Sequence, residues 1–169
     1  GPPKRFDLSV RVPENFLVHA AGHSRGKKRR AAESEFRFRL REDDFSPFVV
    51  AGRYHEQKFS DSSGTVLFWT LQPLPTDQVA RAGPRLTAAL RIYESAFGPR
   101  AGGPRPISLI ESTATDAGPW FGRAFPNGIL LGGDVFRKDS FDEVATLQMA
   151  RLWFGQSLTN DCNLKKYLC

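Results

Sequence analysis

Apolar and polar residues alternate along the first part of the chain, most regularly at residues 6–12 and 35–41. A period of two is typical of a half-buried β-strand with one solvated face. Three further runs are predicted as strands, at residues 16–20, 48–54 and 65–71, with a turn at residues 61–64. We therefore predict a β-rich portion over residues 1–72.

The period changes after a Pro-Leu-Pro sequence at residues 73–75. Thr76 and Asp77 can cap a helix that we expect to run to about Phe97. Its apolar stripe recurs at helical spacing through the second half of this stretch. The pair Gly83-Pro84 inside it predicts a kink or a fresh start of the helix.

A second helix is predicted over residues 140–156. It opens with Ser140 and Glu143, the spacing of a capping box. Apolar residues cover nearly its whole circumference, which is typical of a buried helix. Gln148 and Arg151 are polar exceptions, and burying a polar side chain is costly unless it finds a partner.

Two short strands, at residues 107–111 and 129–133, lie between the predicted helices. A segment rich in glycine and aromatic residues separates them, at residues 118–128. The predicted fold class is therefore α+β, with the β-rich portion followed by an α/β portion over residues 73–169.

The charge pattern changes this picture little. The chain has 169 residues and a formal net charge of +6, mostly from scattered arginines. The dense run Lys27 to Arg30 is best explained as a solvated hairpin tip, and a phosphate contact is the alternative. At residues 35–41 the arginines and phenylalanines fall on opposite faces, which argues against nucleic-acid stacking. No apolar run reaches the ~20 residues that span a bilayer.

Candidate metal ligands are scattered. Cys162 and Cys169 match no zinc or redox spacing. His19 and His23 could ligate across a turn, but no acid or cysteine completes a set with them or with His55. We interpret these histidines as ordinary strand and loop residues.

Several phrases resemble zinc metallopeptidases of the aminopeptidase N kind (gluzincins). Trp153-Phe154-Gly155 resembles the WFG that follows the zinc-binding HExxH motif in that family. Tyr93-Glu94-Ser95-Ala96-Phe97-Gly98 resembles the close of its long helix. Ser46-Pro47-Phe48, with Gly52-Arg53-Tyr54, resembles a phrase at the end of its β-saddle. The resemblance implies a saddle or sandwich portion followed by the front part of a thermolysin-like catalytic domain.

The departures from the family fall on its functional positions. Leu147 and Arg151 stand where the resemblance implies the two zinc-binding histidines, and Gln148 stands where it implies the general-base glutamate. The third zinc ligand would fall just beyond Cys169, so the chain resembles a fragment or a short divergent relative.

The segment Gly122-Arg123-Ala124-Phe125-Pro126-Asn127 stands in the place of the family's GAMEN motif and has no acidic residue. The resemblance implies that Gly122, Arg123, Ala124, Phe125 and Asn127 line what remains of a substrate cleft. We predict no catalytic residue and no cofactor, because leucine cannot ligate zinc, arginine repels it, and glutamine is no general base.

These observations predict a non-catalytic module that binds peptide or protein. Two alternatives stay open: an active zinc aminopeptidase whose site is completed elsewhere, and a basic nucleic-acid-binding domain that uses Lys27 to Arg30. A further hypothesis is that Arg151 pairs with a cleft carboxylate, Glu111 or Asp134.

Overall fold

The computed structural model describes residues 5–20, 22–41, 48–100, 105–113, 122–125 and 127–154. Within these ranges the elements follow in the order β1 (Arg5–Pro13), β2 (Leu17–Ala20), β3 (His23–Arg30), β4 (Glu33–Arg41), β5 (Val49–Gly52), β6 (His55–Asp61), β7 (Gly64–Thr70), α1 (Thr76–Phe97), β8 (Ile107–Ser112), β9 (Gly122–Phe125), β10 (Gly128–Gly132), α2 (Gly133–Phe136) and α3 (Phe141–Phe154). Predictions made for Ser46, Pro47, Pro126, Gly155, Gln156, Cys162 and Cys169 lie outside the described residues.

The predicted α+β fold class is confirmed. An N-terminal, three-stranded antiparallel sheet has the order β1-β4-β3. Leu8 lies opposite Phe38, so the apolar face expected from the alternation forms across β1 and β4. Phe38 and Leu40 join Val18 and Ala20 of β2 in a small buried cluster.

The hairpin tip predicted around Lys27 to Arg30 is wrong. These residues belong to strand β3, which pairs with β4, and the turn of the hairpin lies at Ala31 and Ala32. Gly26, at φ +128°, accommodates a shift of register in β3. The strand was not predicted because it is polar on both faces and has no apolar period. Its pairing depends on β4, which is not visible in its own sequence.

A five-stranded mixed sheet with the order β6-β7-β8-β10-β9 forms the second layer. Strands β7, β8 and β10 are parallel, and β6 and β9 run antiparallel at the two edges. Because β6 and β7 belong to this sheet, residues 55–70 are hydrogen-bonded to the α/β portion. The division at residue 72 stays a prediction.

Helices α1 and α3 cover one face of the five-stranded sheet. The main core lies between them and the sheet, and it includes Phe68, Leu86, Leu109, Ile129 and Met149. Helix α1 runs through Pro84 as one helix, so no fresh start occurs there. Its N-cap is Pro75, without a side-chain capping bond, which corrects the cap predicted at Thr76. No helix in the described ranges is long and apolar enough to cross a membrane.

Aromatic rings join the β2–β5 pair to the five-stranded sheet. Phe48, just before β5, stacks on Phe125 of β9 with ring centroids 3.9 Å apart. His19 of β2 lies between Phe48 and Trp69 of β7. His19 therefore contacts aromatic rings on both sides of this junction. This contact holds the N-terminal sheets beside strand β9, which carries the candidate site.

Candidate functional site

Strand β9 and helix α3 meet at Gly122 with no room for a side chain. A Cβ atom at Gly122 would lie 2.5 Å from both Cγ and Cδ of Gln148, far inside van der Waals contact. Gln148 is 2% exposed, which places this amide in the interior between strand and helix. A side chain at position 122 would therefore force Gln148 or the backbone to shift.

Arg151 lies one turn further along α3, at the surface of the same junction. Its Nη1 atom donates a hydrogen bond to the Gly122 carbonyl oxygen at 3.1 Å. The structure thus brings Gly122, Gln148 and Arg151 together, which are three of the residues singled out from the sequence. A guanidinium has five N–H donors, so this bond leaves donors that face solvent.

The face of α3 that carries Arg151 is open, which corrects the prediction of a helix buried nearly all round. Leu147 is 57% exposed and Phe154 is 51% exposed. Phe154 makes an edge contact with Phe97 of α1, with centroids 4.8 Å apart. The described residues therefore leave an apolar and cationic surface beside β9.

The remaining candidate residues of the β9 segment point in other directions. Ala124 and Phe125 are buried, and Phe125 packs against Phe48. Arg123 is exposed, with its guanidinium 5.7 Å from the Phe125 ring centre. Asn127 adopts φ 60°, and its carbonyl accepts a hydrogen bond from the Ser108 amide. A binding role for these four residues stays a prediction.

The hypothesis that Arg151 pairs with Glu111 is not supported by the contacts. Glu111 Oε2 accepts a hydrogen bond from the Leu71 amide at 2.7 Å, and Oε1 lies 3.5 Å from Arg137. No carboxylate in the described ranges, Asp134 included, lies within salt-bridge distance of Arg151. The physical reason is position: Glu111 lies near the end of the central strand β8, whereas Arg151 reaches the edge strand β9.

The cluster around Glu111 was missed by reasoning from the sequence. Tyr54 donates its hydroxyl to the Glu111 carbonyl oxygen at 3.1 Å. Burial, and then the charge of Glu111, raise the pKa of Tyr54 above its ordinary value. The available signal was a carboxylate at the end of the apolar run Ile-Ser-Leu-Ile-Glu, since ionised side chains are rarely buried without partners.

The positions expected to hold zinc do not fit a metal ion. Leu147 offers no donor atom, and Arg151 offers a permanent positive charge. Among the described residues, no three His, Cys, Asp or Glu side chains cluster as metal ligands. We therefore derive no chemistry through a metal at this junction.

Comparison with solved structures gives the fold. One similar structure is a two-domain M1 zinc metallopeptidase mutant bound to L-arginine, with a TM-score of 0.57 and 17% identity over 93% of this chain. Two others are an M1 zinc metallopeptidase from Deinococcus radiodurans and its mutant, with TM-scores of 0.55 and 0.54 and 16% identity, each over 90% of this chain.

The chain spans 35% of the length of each of these structures. No family model matches the sequence, and no curated protein matches it. At this level of identity the likeness concerns architecture: the chain has the fold of part of an M1 zinc metallopeptidase.

Proposed function

We propose that the chain is a non-catalytic module that binds extended peptide or protein segments at the junction of β9 and α3. The observation that carries the proposal is the Arg151 guanidinium, which is exposed and bonded to the backbone of an edge strand. In place of ligands for a metal, the junction presents a cation, an apolar side chain at Leu147 and a buried amide at Gln148.

The edge of β9 supports this proposal. Strand β9 pairs with β10 on one side, and no described strand pairs with its other side. An extended peptide can add to such an edge through main-chain hydrogen bonds. The free N–H groups of Arg151 suit a carboxylate, because guanidinium–carboxylate hydrogen bonds are among the stronger polar contacts. A peptide with a free C-terminal carboxylate, or with an acidic side chain, matches this arrangement.

The test compares peptides with and without a C-terminal carboxylate, in the unaltered chain and in one variant. We would measure binding of labelled hexapeptides, each with a free C-terminus or a C-terminal amide, by fluorescence anisotropy. We expect the peptide with the free carboxylate to bind more tightly, and Arg151→Met to remove that preference. The dissociation constant rises about tenfold for each 1.4 kcal/mol of binding free energy lost. Arg91→Met, an exposed cation on α1, is the matched control and should leave the preference intact.

Two results would contradict the proposal. Equal binding of both peptide forms by the unaltered chain and by Arg151→Met would make the cation a structural residue. Stoichiometric zinc together with chelator-sensitive hydrolysis of an aminoacyl chromogenic substrate would favour the active aminopeptidase. Zinc content should therefore be measured on the same preparation, dialysed without chelator.

A further inference from the structure

Strand β3 forms an exposed edge of the N-terminal sheet. It pairs with β4 on one side only, and all eight of its residues are exposed. No described strand covers its outer side. Among the described residues, one row of its backbone N–H and C=O groups therefore has no strand partner, and such a row can pair with another chain.

Positive charge lies on both faces of this edge. Successive residues of a strand point to opposite faces. Lys28 lies opposite Glu35 on one face, whereas Lys27 lies opposite Phe36 on the other, with its Nζ atom 5.0 Å from the ring centre. An added strand would meet cations whichever way its side chains pointed.

The carboxylates nearby do not balance these cations. Arg29 pairs with Glu14, whereas Arg30 and Arg37 share the one carboxylate of Glu35. Three further cations of β3 have no carboxylate of the described residues within salt-bridge distance: Arg25, Lys27 and Lys28. The strand edge therefore has an excess of positive charge at its centre.

We propose that β3 binds an acidic, extended segment of another protein, which adds to the sheet as a fourth strand. Main-chain hydrogen bonds supply the pairing, and opposite charges across neighbouring strands favour acidic side chains on both faces. The same cations repel basic strands and give neutral strands no charge attraction, which makes the edge selective. This site is independent of the junction of β9 and α3.

A protein strand fits the edge better than a nucleic acid does. Binding of single strands usually combines cations with aromatic rings on which bases stack. On this sheet Lys27 lies over the Phe36 ring, and the exposed ring of Phe6 is on β1, at the opposite edge. The outer backbone row of β3, by contrast, can form the paired main-chain hydrogen bonds of a sheet only with a partner that has its own amide groups.

The experiment measures binding of a labelled, glutamate-rich decapeptide to the full chain by fluorescence anisotropy. The decisive comparison uses the same peptide N-methylated at alternate residues, which keeps the charge and blocks strand pairing. We expect the N-methylated peptide to bind at least fivefold more weakly. We expect the double variant Lys27→Glu/Lys28→Glu to bind the parent peptide at least tenfold more weakly.

Matched controls isolate the edge. Arg91→Glu/Lys138→Glu reverses two exposed charges elsewhere and should change the affinity less than twofold. The same comparisons are repeated in Arg151→Met, which removes the acidic-peptide site proposed at the junction of β9 and α3, and the differences due to β3 should persist there. Circular dichroism confirms that each variant is folded, and the exposure of Lys27 and Lys28 makes both substitutions compatible with folding.

Three outcomes would overturn the proposal. Equal affinity for the parent and N-methylated peptides would show attraction by charge alone. Tighter binding of a single-stranded oligonucleotide of equal charge, falling steeply with salt, would assign β3 to nucleic acid. Failure of the acidic peptide to bind at low salt would leave the cations with a solubility role only.

Discussion

At Gly122, the absence of a side chain determines how the candidate site is built. The buried amide of Gln148 occupies the space that a Cβ atom would take, and Arg151 bonds the carbonyl of the same residue. One small residue therefore sets the distance between β9 and α3. It also positions the exposed cation on which the proposed function depends.

Replacing this glycine should be destabilising. We expect Gly122→Ala to lower the free energy of unfolding by about 1–3 kcal/mol, because overpacking a close contact forces side chains and backbone to shift. Urea denaturation measures the change. In a double-mutant cycle, Gln148→Ala should recover part of the loss, since it removes the atoms that the new methyl group meets. Additive losses would show that the glycine matters for another reason.

At the residue scale, the sequence draws attention to polar side chains that stand in an apolar setting. Gln148 and Arg151 were singled out as polar exceptions in an apolar helix, and both lie at the junction with Gly122. The partner of Arg151 could not be predicted, because the bond joins residues that are distant in sequence and ends on a backbone oxygen. Side-chain type carries no information about such an acceptor.

At the scale of elements, the β6–β7 hairpin is tied to helix α1 through one carboxylate. Asp61 Oδ1 accepts hydrogen bonds from the amides of Ser63 and Gly64 in the turn. Its Oδ2 atom accepts the hydroxyl hydrogen of Thr87, at 2.6 Å. The Thr87 hydrogen bond is the main cause that holds the pKa of Asp61 below its ordinary value, helped by the turn amides and by Arg91.

This arrangement predicts an acid-dependent loss of stability. Because the folded-state pKa is depressed, the stabilisation is present above the ordinary pKa of about 4 and is lost as the pH falls through the folded value. We expect Thr87→Val to flatten the fall in unfolding free energy between about pH 5 and pH 2. Denaturation curves at several pH values test this, with Asp61→Asn as the reference that removes the titration. An unchanged slope in Thr87→Val would assign the shift to the turn amides.

Elements were predictable where their residues repeat with a period. The alternation in β1 and β4 gave both strands, and their apolar residues face each other as expected. Strand β3 was missed because cations occupy both of its faces. The open face of α3 was also missed. Leu147 and Phe154 are apolar, and residue type alone does not show that about half of each side chain stays exposed.

At the scale of the whole molecule, a few aromatic rings connect the N-terminal sheets to the α/β portion. Phe125 is buried, and its ring stacks on Phe48 beside the β2–β5 pair. The α+β class and the likeness to part of a metallopeptidase could be inferred from the order of the elements. The membership of β6 and β7 in the five-stranded sheet could not, because strand pairing between distant segments leaves no local signal.

The aromatic contact should control how firmly the two portions are held. We expect Phe125→Ala to lower the free energy of unfolding by about 3–5 kcal/mol, since it removes a buried ring. Hydrogen exchange should accelerate first in Leu17–Ala20 and Val49–Gly52, before α1. Phe97→Ala, which truncates a half-exposed ring, is the control and should cost less than about 1 kcal/mol. Uniform acceleration across the chain would mean that the two portions unfold together.

The connection from β7 to β8 has a kinetic consequence. Strands β6 and β7 are joined by a tight turn and can pair within microseconds, as isolated hairpins do. The parallel pairing of Val66 with Ile107, however, must wait until α1 has formed and the intervening chain has crossed the sheet. Closing this long loop costs conformational entropy before the contacts between β7 and β8 are gained. We therefore expect the crossover to be the slow step of folding. The folding rate should then be set at the centre of the five-stranded sheet, away from the edge strands for which binding is proposed.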